Sequence, residues 1–302
     1  MRKTALACLA MVTAMFGTAD AGSAQAAQTV TGGGGVELAV YETGHLDGSP
    51  ILLIHGFLGS HLSWSEQLSG SLSEEFRIVA LELRGHGASD KPLDAESYTD
   101  PAMWAEDVAA VIRQLDLDRP VLVGWSYGGF AIADYLRDHG DEEIGGIVTV
   151  GSTSALGTDE ASQLVDERFL DIVGDLLSPD LRTRVYATRR FLPMVTAEPM
   201  AVDAFENALA VAMMVPPEVR QAMFSRSFDN ADVFGQVSVP ALVVQGEADR
   251  IVRPRAADLL ADLVPGTREL RFDDTGHAPF LEDPERFDAA LAGFVREARA
   301  RR

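Results

Sequence analysis

Hydrophobic and polar positions along the first half of the chain follow two periods, one typical of strands and one typical of helices. Val36, Leu38 and Val40 alternate with less apolar neighbours, which predicts a half-buried strand over residues 36–43. Continuous apolar runs, which predict buried strands, lie at residues 51–54, 77–83, 121–124 and 146–150. Helical spacing predicts helices between them, at residues 64–72, 101–115 and 130–137. We therefore expect a parallel sheet covered by helices.

The alternation stops after Gly151 and resumes near Pro240. No clear strand run lies between them, and helices are predicted there at residues 160–177, 179–191, 202–214 and 217–228. Beyond Pro240, strands are predicted at residues 241–245 and 269–272 and helices at residues 254–263 and 284–300. The predicted fold class is α/β, with a mostly parallel central sheet and helices on both faces. A helical cap is inserted between the strands at about 146–151 and 241–245.

The N-terminal segment differs from the rest of the chain. A basic start at Arg2 and Lys3 precedes an apolar, alanine-rich run at residues 4–16 and the small-residue pattern Ala24-Gln25-Ala26. This order is typical of a cleaved secretory signal peptide, and the run is too short for an ordinary transmembrane helix. A buried N-terminal helix is the alternative. We expect export to the periplasm or the cell exterior. The lone cysteine, Cys8, lies in this segment, so we expect no disulfide and no thiol nucleophile after cleavage.

Length and composition fit one large domain with an insertion. The chain has 302 residues, 47% of them hydrophobic, which is enough for a large core. The predicted segments are a signal peptide at residues 1–27, an N-terminal core part at 28–152, the cap at 153–237 and a C-terminal core part at 238–302.

The charge balance is strongly acidic. Lys and Arg number 25 and Asp and Glu number 46, so the formal net charge is 25 − 46 = −21. Such a surface argues against binding to nucleic acid or to an anionic membrane. We expect a small-molecule substrate as the partner and no stable membrane anchor. The sequence shows no metal-ligand cluster and no phosphate-binding loop, so we expect no cofactor.

A Gly-x-Ser-x-Gly motif lies where a predicted strand meets a predicted helix. Gly124-Trp125-Ser126-Tyr127-Gly128 follows the apolar run Val121–Val123. In this context the motif is typical of a nucleophile elbow, in which a strained turn projects the serine hydroxyl toward a helix N-terminus. A glycine-rich turn with an inert serine is the alternative. A base and an acid at suitable positions decide between them.

Nucleophilic serine chemistry needs a base to take the hydroxyl proton and an acid to orient that base. Asp249 and His277 each follow a predicted strand, so the chain order is Ser126, Asp249, His277, the order of the elbow fold. Glu247 competes with Asp249 as the acid, and the turn Gly246-x-x-Asp249 favours the latter. Five further histidines are expected at loop positions or helix ends, namely His45, His55, His61, His86 and His139.

The tetrahedral intermediate of acyl transfer needs an oxyanion hole, usually two backbone N–H groups. One should belong to Tyr127, the residue after the serine. The other should come from the loop after the early buried strand, and we assign it to Phe57 because Gly56 allows close approach. The side chains of Phe57 and Tyr127 are also candidates for the substrate pocket, with a packing role as the alternative.

Five motifs in order resemble the α/β-hydrolase fold superfamily. They are His55-Gly56-Phe57, Arg84-Gly85-His86-Gly87-x-Ser89, Gly124-Trp125-Ser126-Tyr127-Gly128-Gly129, Gly246-x-x-Asp249 and Gly276-His277-x-Pro279. The resemblance is to the capped branch, with its esterases, haloperoxidase or perhydrolase-type enzymes and carbon–carbon bond hydrolases. Epoxide hydrolases and dehalogenases of this superfamily have an aspartate as nucleophile, so Ser126 argues against both.

The resemblance implies a serine hydrolase that cleaves a small or medium carboxylic ester. Ser126, Asp249 and His277 would be catalytic, and Phe57 and Tyr127 would form the oxyanion hole. Perhydrolysis or carbon–carbon cleavage by the same residues is the alternative. A ligand-binding protein with little turnover is a third hypothesis, which the complete set of residues disfavours.

The predicted cap should determine which substrates enter. Some of its apolar residues are expected to face the site, from the set Phe169, Leu170, Phe191, Met194, Met200, Phe205, Leu209, Met213, Met214 and Phe224. The cap also contains a basic cluster, Arg182, Arg184, Arg189 and Arg190. This cluster is interpreted either as recognition of a carboxylate substrate or as a solvated helix face paired with acids, and we favour the latter.

Overall fold

A sheet of eight strands forms the centre of the computed structural model, which describes residues 27–301. The ten strands of the described residues, in chain order, are β1 Ala27–Thr31, β2 Glu37–Gly44, β3 Pro50–Ile54, β4 Arg77–Leu81, β5 Val121–Trp125, β6 Gly146–Val150, β7 Ala155–Leu156, β8 Phe228–Asp229, β9 Ala241–Gly246 and β10 Arg268–Phe272. Strands β7 and β8 form a separate two-stranded sheet. The spatial order is β1-β2-β4-β3-β5-β6-β9-β10. Within the eight-stranded sheet, the pairs β1–β2 and β2–β4 are antiparallel, and the other pairs are parallel. The predicted fold class, including the mostly parallel sheet, is confirmed.

The helices of the described residues are α1 Ser65–Ser69, α2 Glu96–Thr99, α3 Pro101–Gln114, α4 Tyr127–His139, α5 Asp159–Leu164, α6 Glu167–Leu176, α7 Leu181–Phe191, α8 Val202–Met213, α9 Pro217–Phe224, α10 Ala231–Phe234, α11 Arg255–Leu263, α12 Pro279–Glu282 and α13 Pro284–Ala300. Four 3₁₀ turns add to them, at Gly33–Gly35, His61–Trp64, Ser71–Glu74 and Leu192–Met194. Helix α3 begins at Pro101 because the Asp100 side chain accepts from the Ala102 N–H. No helix within residues 27–301 is long and apolar enough to cross a membrane.

The segment between β6 and β9 contains helices α5–α10, and two of its predicted helices were wrong in detail. The predicted helix at residues 160–177 is broken at Val165, which forms an antiparallel bridge with Val252 of the core. The predicted helix at 217–228 ends at Phe224, because Phe228 pairs with Leu156 in a two-residue ribbon. Both breaks are caused by long-range pairings, which helical periodicity does not reveal.

Two sets of contacts fix this segment to the core. The Asp166 N–H donates to Ile251 O at 2.9 Å, and the Arg253 N–H donates to Leu164 O at 2.8 Å. On the other side, Arg226 Nη2 lies 2.7 and 2.8 Å from the two carboxylate oxygens of Asp134 in α4. Both side chains of this ion pair are buried. The segment is therefore anchored to the core at two places.

The described part of the chain begins with strand β1 at Ala27. The predicted signal peptide lies outside the described residues except for Ala27, which pairs with Tyr41 at the start of β1. Strand β1 was not predicted. It ends at Thr31 and is followed by the 3₁₀ turn Gly33–Gly35.

Candidate active site

Ser126 lies in a strained turn between β5 and α4. Its φ of 53° and ψ of −117° are unusual for a residue with a side chain. The Ser126 N–H donates to Val150 O at 2.8 Å, which holds the turn to the neighbouring strand. Any side chain at Gly124 or Gly128 would meet backbone atoms, at 2.7 Å and 2.3 Å respectively. The small residues of the motif are therefore required by the close approach of strand, turn and helix.

Asp249 and His277, predicted from separate loops, are in direct contact. His277 Nδ1 lies 2.7 Å from Asp249 Oδ2, and both residues are buried. The other oxygen, Asp249 Oδ1, accepts from the N–H groups of Ile251 at 2.8 Å and Val252 at 3.0 Å. These backbone donors orient the carboxylate toward the imidazole. With Nδ1 donating to Asp249, Nε2 is left as the basic atom of His277.

The loop that contains His277 is held by its surroundings. The Trp125 indole N–H donates to the backbone carbonyl of His277 at 2.8 Å, so Trp125 supports this loop as well as the elbow. The Ala278 N–H donates to Val195 O at 3.1 Å. A Cβ added at Gly151 would lie 2.9 Å from His277 Nδ1. The position after β6 therefore provides room for the imidazole.

The two oxyanion candidates line the same pocket as Ser126. Tyr127 begins helix α4, and the Phe57 loop follows β3; among residues 27–301, neither backbone N–H has a protein acceptor. Leu58 has a positive φ of 63°, and its N–H donates to His86 Nε2 at 3.3 Å. His86 Nδ1 in turn donates to Arg84 O at 3.0 Å. Burial lowers the pKa of His86 well below its usual range, so the ring is neutral and supports this loop.

A pocket, which we call the chamber, adjoins Ser126 and His277 and has an empty volume of about 630 Å³ that includes space open to solvent. The segment after β6 contributes aromatic and aliphatic walls, and charged side chains are absent from the described residues that line it. Of the predicted pocket candidates in the cap, Phe169, Phe191 and Phe224 line the chamber. Leu170 and Met214 are instead exposed, at 44% and 50%. Phe57 contacts Phe224 edge to face, with ring centroids 4.8 Å apart.

A second space, which we call the groove, shares Phe57, Trp125 and Phe191 with the chamber. It is larger, with about 2000 Å³ that includes space open to solvent. Many of the residues that line the groove are apolar. Lys and Arg are absent from its described lining residues, so its charged side chains are carboxylates. The carboxylates of the groove are Glu66, Glu198, Asp203, Asp274, Glu282 and Asp283. The chamber, which Ser126 lines, and the neighbouring groove therefore differ in size and in charge.

Two other residues considered from the sequence, Glu247 and His55, make contacts of a different kind. Glu247 pairs with Arg271 at 3.2 Å near the surface, which leaves Asp249 as the acid in contact with His277. Burial lowers the pKa of His55 to about 4, and its Nε2 accepts from the Leu83 N–H at 3.1 Å. His55 is therefore a structural residue of the loop.

The structure agrees in part with the solvated-face interpretation of the basic cluster, because Arg182, Arg189 and Arg190 are exposed. None of the four arginines lines the chamber or the groove. Arg184 is buried and donates to the carbonyls of Ser178 at 2.9 Å and Pro179 at 2.8 Å. The guanidinium groups of Arg189 and Arg190 lie over aromatic rings, those of Phe205 and Tyr186. Within residues 27–301, the ion pairs of the protein include none from this cluster. No group of three or more His, Cys, Asp or Glu in the same range could hold a metal ion.

Sequence reasoning missed two residues next to the site. Gln245 donates to Asp249 Oδ2 at 3.0 Å. Glu282 accepts from the N–H groups of Gly276 at 2.6 Å and Ala197 at 2.7 Å, and so joins the His277 loop to the cap segment. One signal for Gln245 was available, since it is a single polar residue in an otherwise apolar predicted strand.

Comparison with known proteins gives a consistent family. The sequence model of the alpha/beta hydrolase fold matches residues 49–284. A candidate aryl esterase from Burkholderia cenocepacia is 37% identical, with a TM-score of 0.83 over 91% of this chain and 100% of that chain. The esterase RhEst1 from Rhodococcus sp. ECU1013 is 32% identical, with a TM-score of 0.84 over 89% of this chain and 98% of that chain.

A curated relative of known reaction is more distant. The pimeloyl-[acyl-carrier protein] methyl ester esterase of Vibrio cholerae is 26% identical over 264 residues, which are 85% of this chain and 98% of that protein. The relatives thus include ester hydrolases with different alcohol and acyl groups in their names.

Proposed function

Because the chain belongs to the alpha/beta hydrolase fold family and is an enzyme of that class, we propose that it cleaves small or medium carboxylic esters through an acyl-enzyme on Ser126. The observation that carries this proposal is the contact of 2.7 Å between His277 Nδ1 and Asp249 Oδ2, at a chamber that Ser126 also lines. A serine, a base and an acid in this relation are the groups that acyl transfer requires.

In the proposed reaction, Ser126 Oγ attacks the ester carbonyl carbon while His277 Nε2 takes the hydroxyl proton. Asp249 orients the imidazole and stabilises its protonated form. The N–H groups of Phe57 and Tyr127 stabilise the oxyanion. The carbon–oxygen bond to the alcohol then breaks, and His277 returns the proton to the leaving alcohol. Water, deprotonated by His277, finally attacks the acyl-enzyme and releases the carboxylic acid and free Ser126.

The chamber supports an uncharged acyl group of limited size. Its walls include Phe169, Phe191 and Phe224, and its empty volume is about 630 Å³. Burying apolar surface against such walls favours binding, whereas burying a charge without a partner is unfavourable. We therefore assign the acyl part to the chamber and the alcohol part, which leaves first, to the open groove.

Activity-based labelling with a fluorophosphonate tests the proposed nucleophile. We expect labelling of the unaltered chain and none of Ser126→Ala. Ser152→Ala is the matched control, because Ser152 also lines the chamber but its Oγ donates to Ser126 O at 3.0 Å. Labelling that persists in Ser126→Ala would contradict the proposal.

A substrate panel tests the reaction. We expect turnover of 4-nitrophenyl acetate, butyrate and benzoate, abolished in Ser126→Ala. Perhydrolysis shares the acyl-enzyme and differs in that peroxide replaces water, so peracid formation that exceeds hydrolysis would favour that reaction. Cleavage of a 1,3-diketone without ester turnover would favour carbon–carbon hydrolysis. Tight binding of esters without turnover would indicate a ligand-binding protein.

We also propose that the protein is exported, from the signal-peptide pattern in residues 1–27. Expression of the full chain in a bacterial host is expected to yield an exported form that lacks the segment through Ala24-Gln25-Ala26, as measured by mass spectrometry of the mature N-terminus. Retention of Met1 or Arg2 in the active protein would contradict export by cleavage.

A further inference from the structure

Strand β9 has one polar side chain at the end nearest the candidate site. Gln245 is the penultimate residue of Ala241–Gly246, and it is 0% exposed. Burying an amide away from water is unfavourable unless its donors and acceptors find partners. The contacts of this side chain therefore indicate why glutamine occupies the position.

The amide nitrogen of Gln245 faces only acceptors. Nε2 lies 3.0 Å from Asp249 Oδ2, 3.0 Å from Gly246 O and 3.5 Å from Val252 O. Three oxygens around this atom identify it as the nitrogen end of the amide. At the other end, Oε1 is buried and has no hydrogen-bond partner among residues 27–301. Gln245 thus leaves its own oxygen unsatisfied while its nitrogen donates to Asp249.

The oxygen that Gln245 contacts is the one that His277 uses. Asp249 Oδ2 accepts from His277 Nδ1 at 2.7 Å and from Gln245 Nε2 at 3.0 Å, whereas Oδ1 accepts only from backbone N–H groups. A second donor restrains rotation of the carboxylate. It also draws part of the Oδ2 charge away from the imidazole, because two donors share one acceptor.

We propose that Gln245 is a positioning residue for the reaction proposed above: it aligns the Asp249 carboxylate with His277 and limits how strongly Oδ2 stabilises protonated His277. The inference rests on the proposed function. Gln245 lines neither the chamber nor the groove, so it acts through Asp249 and does not contact the substrate.

Gln245→Met tests the inference, because Met has a similar length and no donor. We expect kcat for 4-nitrophenyl butyrate to fall by about ten- to a hundredfold, as for loss of a hydrogen bond to a charged group. KM should not change. The acidic limb of kcat/KM should move to higher pH by about half a unit, since Oδ2 then stabilises protonated His277 alone. An unchanged kcat and limb would overturn the proposal.

Thr149→Val is the matched control. Thr149 is buried in the neighbouring strand β6, pairs with Val243 and has an Oγ1 without a partner among the described residues. We expect this variant to keep the pH profile of the unaltered chain. If the pH profile of Gln245→Met moved no further than that of Thr149→Val, Gln245 would have only the structural role of a buried polar group in this sheet.

A conservative variant covers the case in which Gln245→Met does not fold. Gln245→Glu keeps the shape, and its protonated form keeps an O–H donor for Asp249. We expect its kcat, relative to the unaltered chain, to be highest at low pH and to fall as the glutamate ionises beside Asp249. A constant ratio across the pH range would contradict the inference.

Proton NMR separates this inference from the proposed function. The Nδ1–H of His277 should give a low-field resonance that disappears in His277→Gln and moves further downfield in Gln245→Met, as its bond to Asp249 strengthens. The shift supports the inference independently of turnover, and its absence overturns the inference. A failure of the unaltered chain to hydrolyse any ester contradicts the proposed function instead.

Discussion

The two sides of the chamber are held by different forces. On the core side, Ser126, Asp249 and His277 are each oriented by named hydrogen bonds from strand ends and loops. On the cap side, Phe169 and Phe224 are held by packing, with ring centroids 6.2 Å apart. Directional bonds fix reactive atoms to a few tenths of an ångström, whereas aromatic packing fixes shape and volume. Under the proposed function, the core side therefore determines the reaction, and the cap side determines which acyl groups enter.

The strongest test of this comparison removes the charge on the core side. Asp249→Asn keeps the shape but presents an amide to His277, which disfavours the tautomer that can accept the Ser126 proton. We expect kcat to fall by about 10³–10⁴ with little change in KM. Steady-state kinetics with 4-nitrophenyl butyrate measures the effect. Glu247→Gln is the control, two residues away, and should keep nearly full activity; equal losses in the two variants would contradict the assignment of the acid.

The next largest effect concerns how the cap is fixed to the core. Arg226→Met removes the partner of Asp134, whose pKa burial raises to about 6 against the attraction of Arg226. Loss of one member of a buried pair is expected to lower the free energy of unfolding by about 3–5 kcal/mol. Urea denaturation measures the change. The double variant Arg226→Met with Asp134→Leu should recover much of the loss, and no recovery would show that the pairing is not the cause.

The difference between the hydrogen-bonded core side and the packed cap side explains which parts of the site the sequence could predict. Ser126, Asp249 and His277 follow strands, and the carboxyl ends of parallel strands meet at one edge of the sheet, so chain order and strand pattern were sufficient. Gln245 was missed because the pattern marks it only as an exception within an apolar run. Its role depends on where the Asp249 loop folds back, which is a long-range contact.

The cap was less predictable because its elements depend on pairing with the core. Val165 lies in a stretch with helical spacing, yet its bridge with Val252 breaks the helix. Phe169 and Leu170 are neighbours in one helix, and only the former lines the chamber. Apolar composition identified the set of candidates, but the rotation of each helix against the sheet selected among them.

Widening the chamber should change specificity without changing the reaction. Phe224→Ala removes a ring that contacts Phe57, with centroids 4.8 Å apart. We expect the ratio of kcat/KM for 4-nitrophenyl octanoate to that for the acetate to rise by about tenfold, because the enlarged chamber would accept a few more methylene groups. Met214→Ala, at an exposed position of the cap, is the control. An unchanged ratio in Phe224→Ala would remove the chamber as the acyl site.

The groove gives an effect of similar size that depends on charge. Two esters with the same acyl group and either a trimethylammonium or a sulfonate group on the alcohol differ only in what enters the acid-lined groove. We expect kcat/KM to favour the cationic ester by about tenfold at low salt, and the preference should shrink at high ionic strength. Equal rates at low salt would contradict the assignment of the alcohol to the groove.

The smallest expected effect concerns a polar contact outside the chamber, that between Asp288 and Gln67. Asp288 accepts from Gln67 Nε2 at 2.9 Å, and burial raises the pKa of its carboxyl to about 6. Since this value lies above that in the unfolded chain, the stability that Asp288 contributes is complete below about pH 4 and is lost as the pH rises through about 6. Asp134, with a pKa also raised to about 6, adds to the same slope.

Asp288→Asn keeps an acceptor for Gln67 and removes the titration. We therefore expect the urea midpoint to fall less between pH 4 and pH 7 than in the unaltered chain, and kcat at pH 7 to stay the same. Asp273→Asn, an exposed change, is the control and should leave the slope intact. If Asp288→Asn instead lowered kcat, hydrogen bonds outside the chamber would also orient the reactive groups. The contrast between a core side fixed by hydrogen bonds and a cap side fixed by packing would then have to extend beyond the chamber.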